Sequence, residues 1–304
     1  MHSFYRRERF RRDTTERPAA AWSRNKMLAL LAAAAAVTVL LGVGLVLAVI
    51  NAIQPAPGGA AAAARPAGPS ASQPAPAGAA PNGDPSQAGA GTTAAAAAAT
   101  AAAFEEVAGR PMLAVPASAS HPSAVSVRDP GPPIVLPPAT GVGPAGVATG
   151  FGHSPQGALA QLAAIDRVAL SSASLAGVRA VITGWAVPGG PSASTWTGVQ
   201  AMAGLLTATG LPGGGSGQLA VVATPLMGLL KDSVGPDLAV PCVDFEVDVT
   251  VSSTARGAVG DCQRMVWTGG RWMIGAGPEP AAAPSVWPDS DLAVQVGYRD
   301  LRRG

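Results

Sequence analysis

The sequence predicts an α+β fold in which three N-terminal helices pack on a curved antiparallel sheet. A single transmembrane helix and a disordered Pro/Ala/Gly-rich linker are predicted to precede this domain. Three observations lead to this prediction. An uncharged apolar run covers residues 27–53, and residues 54–150 are saturated with Pro, Ala, Gly and Ser. From residue 151 onward, apolar residues recur first at helical spacing and then with period two. Helices followed by an antiparallel meander are typical of the α+β class.

The apolar run at 27–53 is long enough to cross a bilayer, which takes about 20 apolar residues in a helix. Residues 1–26 contain eight Arg and Lys residues against three Asp and Glu residues, and the rest of the chain is net negative. The positive-inside rule therefore predicts a cytoplasmic basic tail at 1–26 and an extracytoplasmic domain at 151–304, joined by an uncleaved single-pass anchor in the cell membrane.

Two export signals are the alternatives to this anchor. A cleaved signal peptide has an apolar core of about 7–15 residues, which is shorter than this run. The pairs Arg6–Arg7 and Arg11–Arg12 resemble a twin-arginine signal, but they lie far from the apolar run and acidic residues intervene.

The linker at 54–150 has too few large apolar residues to offset the entropy of ordering, so it is expected to be disordered. Within it, the alanine-rich stretch 92–110 predicts a transient helix, because alanine has the highest helix propensity. Gly109 and Pro111 would end that helix. The expected role of the linker is to hold the domain away from the membrane.

Three helices are predicted between residues 154 and 212. Ser154 precedes a proline and is a good N-cap for the first helix. Ser174 is the corresponding residue of the second, and either Ser192 or Ser194 begins the third. Gly210, followed by a proline, ends the third helix.

The period then changes to two. Residues 218–231 are predicted to form a largely buried strand that bends at Pro225. Residues 242–250 form the clearest strand, in which apolar and acidic residues alternate.

A turn at 252–257 and a returning strand at 258–268 are predicted next. Gly269 and Gly270 indicate a tight hairpin into a short strand at 271–274. A C-terminal helix is predicted from Asp289 through Leu301.

An acidic row lies on one face of the strand at 242–250, formed by Asp244, Glu246 and Asp248. Carboxylates two residues apart on a strand are about 7 Å apart, a spacing compatible with a metal or an acid/base pair. Alternation alone already demands polar residues there. The row is therefore predicted to face solvent or a partner, with Arg256 and Arg264 available across the hairpin. No metal is predicted, because no loop supplies several oxygen ligands.

Cys242 and Cys262 are the two cysteines of the chain. Outside the cytoplasm an even number of cysteines indicates a disulfide, here worth about 3 kcal/mol. Direct pairing of the two would centre the turn on Ser252, whereas Gly257 favours a later turn. Two buried free thiols remain the alternative.

The sequence offers no convincing catalytic group or cofactor site. His153 is the one histidine of residues 151–304. The stretch Gly152–Gly157 superficially resembles a nucleophile elbow, but its second glycine is one place late and a proline follows the serine. Helix capping explains Ser154 better, and His153 is expected to be a surface residue beside the cap.

The helices followed by a sheet that ends in W-x-G-G-R-W-M-I at 267–274 resemble the cone-shaped fold of nuclear transport factor 2-like domains. Such domains often finish in a D-G-x-W-x-hydrophobic hairpin. The basic tail, single span, tether and domain together resemble the inner-membrane scaffold component of type IV secretion and conjugation machines. The stretches GFGHSPQGALAQLAAID at 150–166 and CVDFEV at 242–247 are similar to uncharacterised conjugative-element proteins of high-GC Gram-positive bacteria. Such relatives often carry two of these domains, and this chain has room for one.

The resemblance implies a non-catalytic, membrane-anchored scaffold or assembly protein of a conjugative DNA-transfer apparatus. Its expected partners are membrane lipids, other membrane proteins of the complex and a second copy of the chain, with no direct contact to nucleic acid. Two alternatives stay open. One is a small-molecule binder or enzyme that uses the cavity of the cone, for which an inward-facing histidine or acidic pair would be the sign. The other is a stalk protein of the cell envelope.

Overall fold

The computed structural model describes residues 85–212 and 217–304, with side chains from residue 93 onward. The predicted basic tail at 1–26, the apolar run at 27–53 and residues 54–84 of the predicted linker lie outside the described residues. None of the helices in the described part combines the length and the apolar character that crossing a membrane requires.

The described residues form five α-helices and nine β-strands, and short 3₁₀ turns occur at Ala117–Ser120 and Pro144–Gly146. In chain order, the helices and strands are α1 (Pro85–Gly109), β1 (Ile134–Leu136), β2 (Gly141–Val142), β3 (Ala148–Thr149), α2 (Pro155–Ser171), α3 (Leu175–Trp185), α4 (Thr197–Ala208), β4 (Ala220–Val234), β5 (Leu238–Thr250), β6 (Thr254–Cys262), β7 (Met265–Thr268), β8 (Arg271–Ile274), α5 (Asp291–Val296) and β9 (Arg299–Arg303).

Serine side chains begin α2 and α3, as the sequence predicts. The hydroxyl of Ser154 accepts a hydrogen bond from the backbone N–H of Gly157 at 3.1 Å. Ser174 accepts the equivalent bond from Gly177, also at 3.1 Å. Each serine thereby satisfies an amide at the start of a helix that has no partner within the helix itself.

The third helix, α4, begins later than predicted. Ser192 does not cap it, because its backbone N–H and hydroxyl bond the hydroxyl of Thr195 in a preceding turn. The cap comes instead from Glu279, which is remote in sequence. Its carboxylate accepts hydrogen bonds from the backbone N–H of Thr197 at 2.9 Å and from the Thr197 hydroxyl at 2.6 Å.

The sheet is curled and mostly antiparallel, which confirms the α+β class and the curved antiparallel sheet. Its strand order is β1-β9-β4-β5-β7-β8, and β6 also pairs with β5. The longest pair is β4 with β5, and their register shifts between Pro225 and Met227, where the bend was predicted. Gly269 and Gly270 both have positive φ in the tight turn between β7 and β8.

Two boundaries differ from the sequence prediction. The turn between β5 and β6 is tight, with Thr250 paired to Thr254, and Gly257 lies inside β6 opposite Val247. The predicted later turn is therefore wrong. The C-terminal helix is also shorter than predicted, because Gly297 adopts φ +96° and ends α5. Leu301 lies on β9, which pairs with both β4 and β1.

Part of the predicted linker is integral to the folded domain, so the domain does not begin at residue 151. Strand β1 pairs in parallel with β9. The end of α1 packs through Phe104, Val107 and Ala108 against Val240 on β5. Composition predicted disorder because apolar residues are sparse in this region, yet these few occur at helical spacing and cover the sheet.

Both faces of the sheet are covered as a result. On β5, the inner face toward α2–α4 carries Val243, Phe245, Val247 and Val249. The outer face carries Cys242, which is buried with Met227, Val286 and Tyr298. The alternation along β5 was predicted correctly, but the covering of its outer face was not.

Candidate functional site

The acidic row predicted on β5 is not a continuous surface. Asp244 is fully buried beneath the C-terminal segment around Val286. Glu246 and Asp248 are partly exposed and both pair with Arg256 on β6, the Asp248 bond being 3.2 Å long. Arg264 does not face the row, because it forms a bidentate pair with Glu105 of α1.

The burial of Asp244 has a free-energy cost at neutral pH. Neither of its carboxylate oxygens has a hydrogen-bond partner among the described residues. Burial raises the pKa of Asp244 well above its usual value, and the backbone of Val286 opposes this only in part. Burial therefore favours the protonated form of this carboxyl group in the folded chain.

We expect Asp244→Asn to stabilise the protein by about 1–3 kcal/mol at pH 7.5, because asparagine is neutral in both states and avoids the cost of keeping a buried carboxyl group protonated, about 1.4 kcal/mol per pH unit above its unfolded pKa, part of which the buried amide takes back. In the unfolded chain Asp244 ionises near its ordinary pKa of about 3.9, whereas the folded chain keeps the proton. The free energy of unfolding therefore falls as pH rises through the interval between the unfolded and the raised folded pKa. Asparagine cannot ionise and removes this slope. Urea unfolding from pH 4 to 8 measures it, with Asp248→Asn as control.

Asp248→Asn leaves Glu246 paired with Arg256 at a partly exposed site, so its effect should stay below about 1 kcal/mol. A loss of stability at pH 7.5 in Asp244→Asn would show that Asp244 is ionised and held by a partner.

Cys242 and Cys262 form a disulfide between directly paired residues of β5 and β6, with their Cα atoms 4.1 Å apart. The sequence left two registers open, and the structure has the one in which the two cysteines are directly paired. The thioether sulfur of Met112 lies 3.6 Å from Cys262 Sγ and 3.9 Å from Cys242 Sγ. The segment predicted as linker therefore covers the disulfide.

His153 lies beside the cap of α2, as predicted, and is engaged in contacts with neighbouring residues. Its ring stacks on Trp267 at a centroid distance of 4.3 Å, and its Nε2 is 2.8 Å from a carboxylate oxygen of Asp237. The Ser154 hydroxyl is occupied by the helix cap. The stretch around His153 is therefore a packing and capping feature without a nucleophile.

A cavity of about 360 Å³ lies between the helices and the inner face of the sheet. We call it the helix–sheet cavity. Its volume falls within the range of about 300–1,000 Å³ that is usual for small-molecule sites. The walls come from α2, α3, the start of α4, β5, β6 and the loop after β8. The exposed residues Gln200 and Ala282 belong to its rim.

Two aspartates meet in this cavity. Asp166 projects from α2, and Asp261 lies on β6 opposite Val243, on the inner face of the sheet. Burial raises the pKa of Asp166 well above its usual value, and the neighbouring Asp261 charge and a hydrogen bond between the two carboxyl groups raise it further. Burial, together with the charge of Glu279, raises the pKa of Asp261 to about 7. The pair therefore shares a proton, with Asp166 as the donor.

Glu279 is the third carboxyl group of the helix–sheet cavity. Burial raises its pKa, and the two hydrogen bonds from Thr197 oppose that rise. These bonds lie at the N-terminus of α4, where partial positive charge favours an anion. Among the three carboxyl groups, Glu279 is thus the one whose charge the fold supports best.

Two residues that line the helix–sheet cavity carry buried polar atoms that the described residues leave without partners. Asp166 is 4% exposed and its Oδ2 lacks a hydrogen-bond partner. Trp196 is 2% exposed and its indole Nε1 lacks an acceptor. Buried polar atoms are nearly always paired, so two unpaired atoms on residues that line one cavity call for a partner that the described residues do not supply.

A metal ion does not fit this arrangement. Across residues 85–212 and 217–304, no group of three or more His, Cys, Asp or Glu side chains is placed to hold one. The side chains lining the helix–sheet cavity, as far as the structure describes them, include no Lys, Arg or His.

The sequence contains a signal for Asp166 in the spacing of α2. Asp166 follows Leu162 by four residues and Leu159 by seven, so it lies on the apolar stripe of α2. A carboxyl group on a stripe that faces the core requires an explanation. Asp261 likewise follows Val259 by two residues and shares its inward face. Both signals are weaker than the regular acidic row on β5, which the outer cover partly buries.

A comparison of this chain with protein-family models, with curated proteins and with solved structures finds no match.

Proposed function

We propose that residues 104–304 form a small-molecule-binding domain whose ligand occupies the helix–sheet cavity. The observation that carries this proposal is the inward-facing pair Asp166–Asp261, beside an unpaired indole N–H and within an apolar enclosure. An inward acidic pair is the sign that separates a cavity binder from a pure scaffold. We propose binding, and the described lining residues place no serine or histidine beside the carboxyl groups.

The test fills part of the cavity with a larger side chain on α4. Ala201 lies on α4 among the lining residues, and Ala203, on the same helix, does not line the cavity. A fragment library with cationic, neutral and anionic members is screened by ligand-detected NMR against the full-length chain in neutral detergent. We expect Ala201→Trp to lose at least tenfold in affinity for the hits, because the indole fills space that a ligand needs.

Ala203→Trp adds the same side chain to α4 outside the cavity and should bind fragments as the wild type does. The same hits on the wild type and on Ala201→Trp, with equal affinities, would contradict the proposal.

A second candidate is the scaffold role in a conjugative transfer apparatus, with the domain outside the cell membrane and anchored by the run at 27–53. Exposed valines on one extended segment support it: Val125 is 72% exposed and Val127 fully exposed. Purification from membranes with the transfer ATPases as candidate partners tests this role. A full-length chain that never co-purifies with them would count against it. Peptidoglycan co-sedimentation separates it from a stalk protein.

A further inference from the structure

We infer that the ligand of the helix–sheet cavity is a small organic cation, namely a primary or secondary amine on an apolar body. This inference rests on the proposed function and names the class of molecule that the site would take. Three carboxyl groups line the cavity and the described lining residues supply no basic side chain. Such a lining repels anions and attracts a positive charge, and the low dielectric of the enclosure strengthens both effects.

The aspartate pair provides the site for the ammonium group. In the unliganded chain the raised pKa values of Asp166 and Asp261 favour one proton shared between the two carboxyl groups. An ammonium has two or more N–H donors and can bond both carboxylates at once, that of Asp166 through Oδ2, which is unpaired within the described residues. On binding, the shared proton leaves to solvent and the ammonium replaces it. Gln263 holds Asp261 in place through hydrogen bonds of 3.0 and 3.3 Å to its carboxylate.

The remaining lining residues indicate that the rest of the ligand is apolar. Apolar side chains from α2, α3, α4 and β5 enclose it, namely Leu170, Val178, Met202 and Phe245. The rings of Trp196 and Phe245 suit an alkyl or aromatic group and can stabilise a neighbouring ammonium through their π faces. The indole N–H of Trp196 offers a hydrogen bond to a hydroxyl or carbonyl oxygen on the same ligand.

The experiment compares three probes of nearly equal shape, phenethylamine, 2-phenylethanol and 3-phenylpropionate, by NMR titration of the full-length chain at pH 8. We expect phenethylamine to bind at least tenfold more tightly than 2-phenylethanol, and 3-phenylpropionate not to bind. Loss of phenethylamine binding in Ala201→Trp locates it in the helix–sheet cavity. Equal affinities for the amine and the alcohol would overturn the cation inference while leaving the proposed function intact. No saturable binding of phenethylamine would overturn it as well.

Charge-neutral variants provide the second arm. Asp166→Asn and Asp261→Asn each remove a carboxylate from the pair and keep its shape. Each should reduce the affinity for phenethylamine at least tenfold and leave that for 2-phenylethanol within twofold. Glu106→Gln removes an exposed carboxyl group of α1 outside the cavity and should change neither the affinity for phenethylamine nor that for 2-phenylethanol. Thermal unfolding of each variant reports whether it is folded. Unchanged preference for the amine in both aspartate variants would contradict the inference.

The pH dependence has a definite sign. The titratable groups facing Asp261 are Asp166 from α2 and Glu279 from the loop after β8. Tyr298 lies under the outer face of the sheet, where burial and the charges of Asp244 and Asp261 raise its pKa. A bound ammonium favours ionised Asp261, whose unliganded pKa is about 7. Affinity for phenethylamine should therefore rise from pH 6 to pH 8, with proton release to the buffer, while the affinity for 2-phenylethanol stays flat. A falling or flat amine profile would overturn the assignment.

Discussion

Gly157→Ala should destabilise the domain by about 3–5 kcal/mol, which combines overpacking with the loss of hydrogen bonds at the same site. Gly157 lies in the first turn of α2 and packs against the backbone of Gly152. A Cβ atom on residue 157 would lie 1.8 Å from the carbonyl oxygen of Gly152. Backbone must therefore move, because no flexible side chain can yield there.

The carbonyl group that would be displaced joins two parts of the fold. It accepts hydrogen bonds from the backbone N–H of Ser154 at 2.9 Å and from the indole N–H of Trp272 at 3.1 Å. Trp272, on β8, is 1% exposed. Moving the carbonyl of Gly152 thus loosens the cap of α2 and leaves a core tryptophan without its acceptor.

Thermal unfolding followed by tryptophan fluorescence measures the effect, and we expect a fall in Tm of about 6–20 °C for a domain of this size. Gly152→Ala is the matched control. A Cβ at residue 152 meets no heavy atom within 4 Å, so this substitution should shift Tm by less than about 2 °C. Equal Tm values for Gly157→Ala and the wild type would show that α2 does not approach the Gly152 backbone as closely as described.

This close approach illustrates what the sequence revealed and what it left out. The serine before a proline predicted where α2 begins, since capping depends on residues a few positions apart. The sequence contained no comparable signal for the contact between Gly157 and Gly152 or for the bond to Trp272, because these depend on how distant elements meet. The same holds for α4, which is capped by Glu279 from the loop after β8, 82 residues further along the chain.

The candidate site also combines features that local sequence patterns predict with features that depend on the packing of distant elements. Strand alternation predicted correctly that Asp244 and Val243 lie on opposite faces of β5. It could not predict which face would be covered, because the cover comes from segments with little periodicity, including the proline-rich stretch before residue 151. The aspartates of the helix–sheet cavity lie 95 residues apart on α2 and β6, so their meeting follows from packing and not from any local motif.

Loss of the disulfide between Cys242 and Cys262 should lower the free energy of unfolding by about 3 kcal/mol, because the bond closes a loop of 20 residues in the unfolded chain. The double variant Cys242→Ala/Cys262→Ala removes the bond without leaving a reactive thiol. Both sulfurs are buried against Met112, so the variant also leaves a small cavity there. Guanidinium unfolding should therefore show a lower midpoint than for the oxidised wild type.

Reduced wild-type chain separates the bond from the packing, since reduction keeps both sulfur atoms in place. Its free energy of unfolding should fall below that of the oxidised chain by most of the double variant's deficit. If cavity formation alone caused the loss, the reduced and oxidised wild-type chains would have the same free energy of unfolding.

A bond of this kind forms in oxidising compartments, so peptide mapping of the chain isolated from its native host under thiol-blocking conditions also tests the predicted location outside the cytoplasm. Recovery of both cysteines as free thiols would contradict the location and the disulfide together.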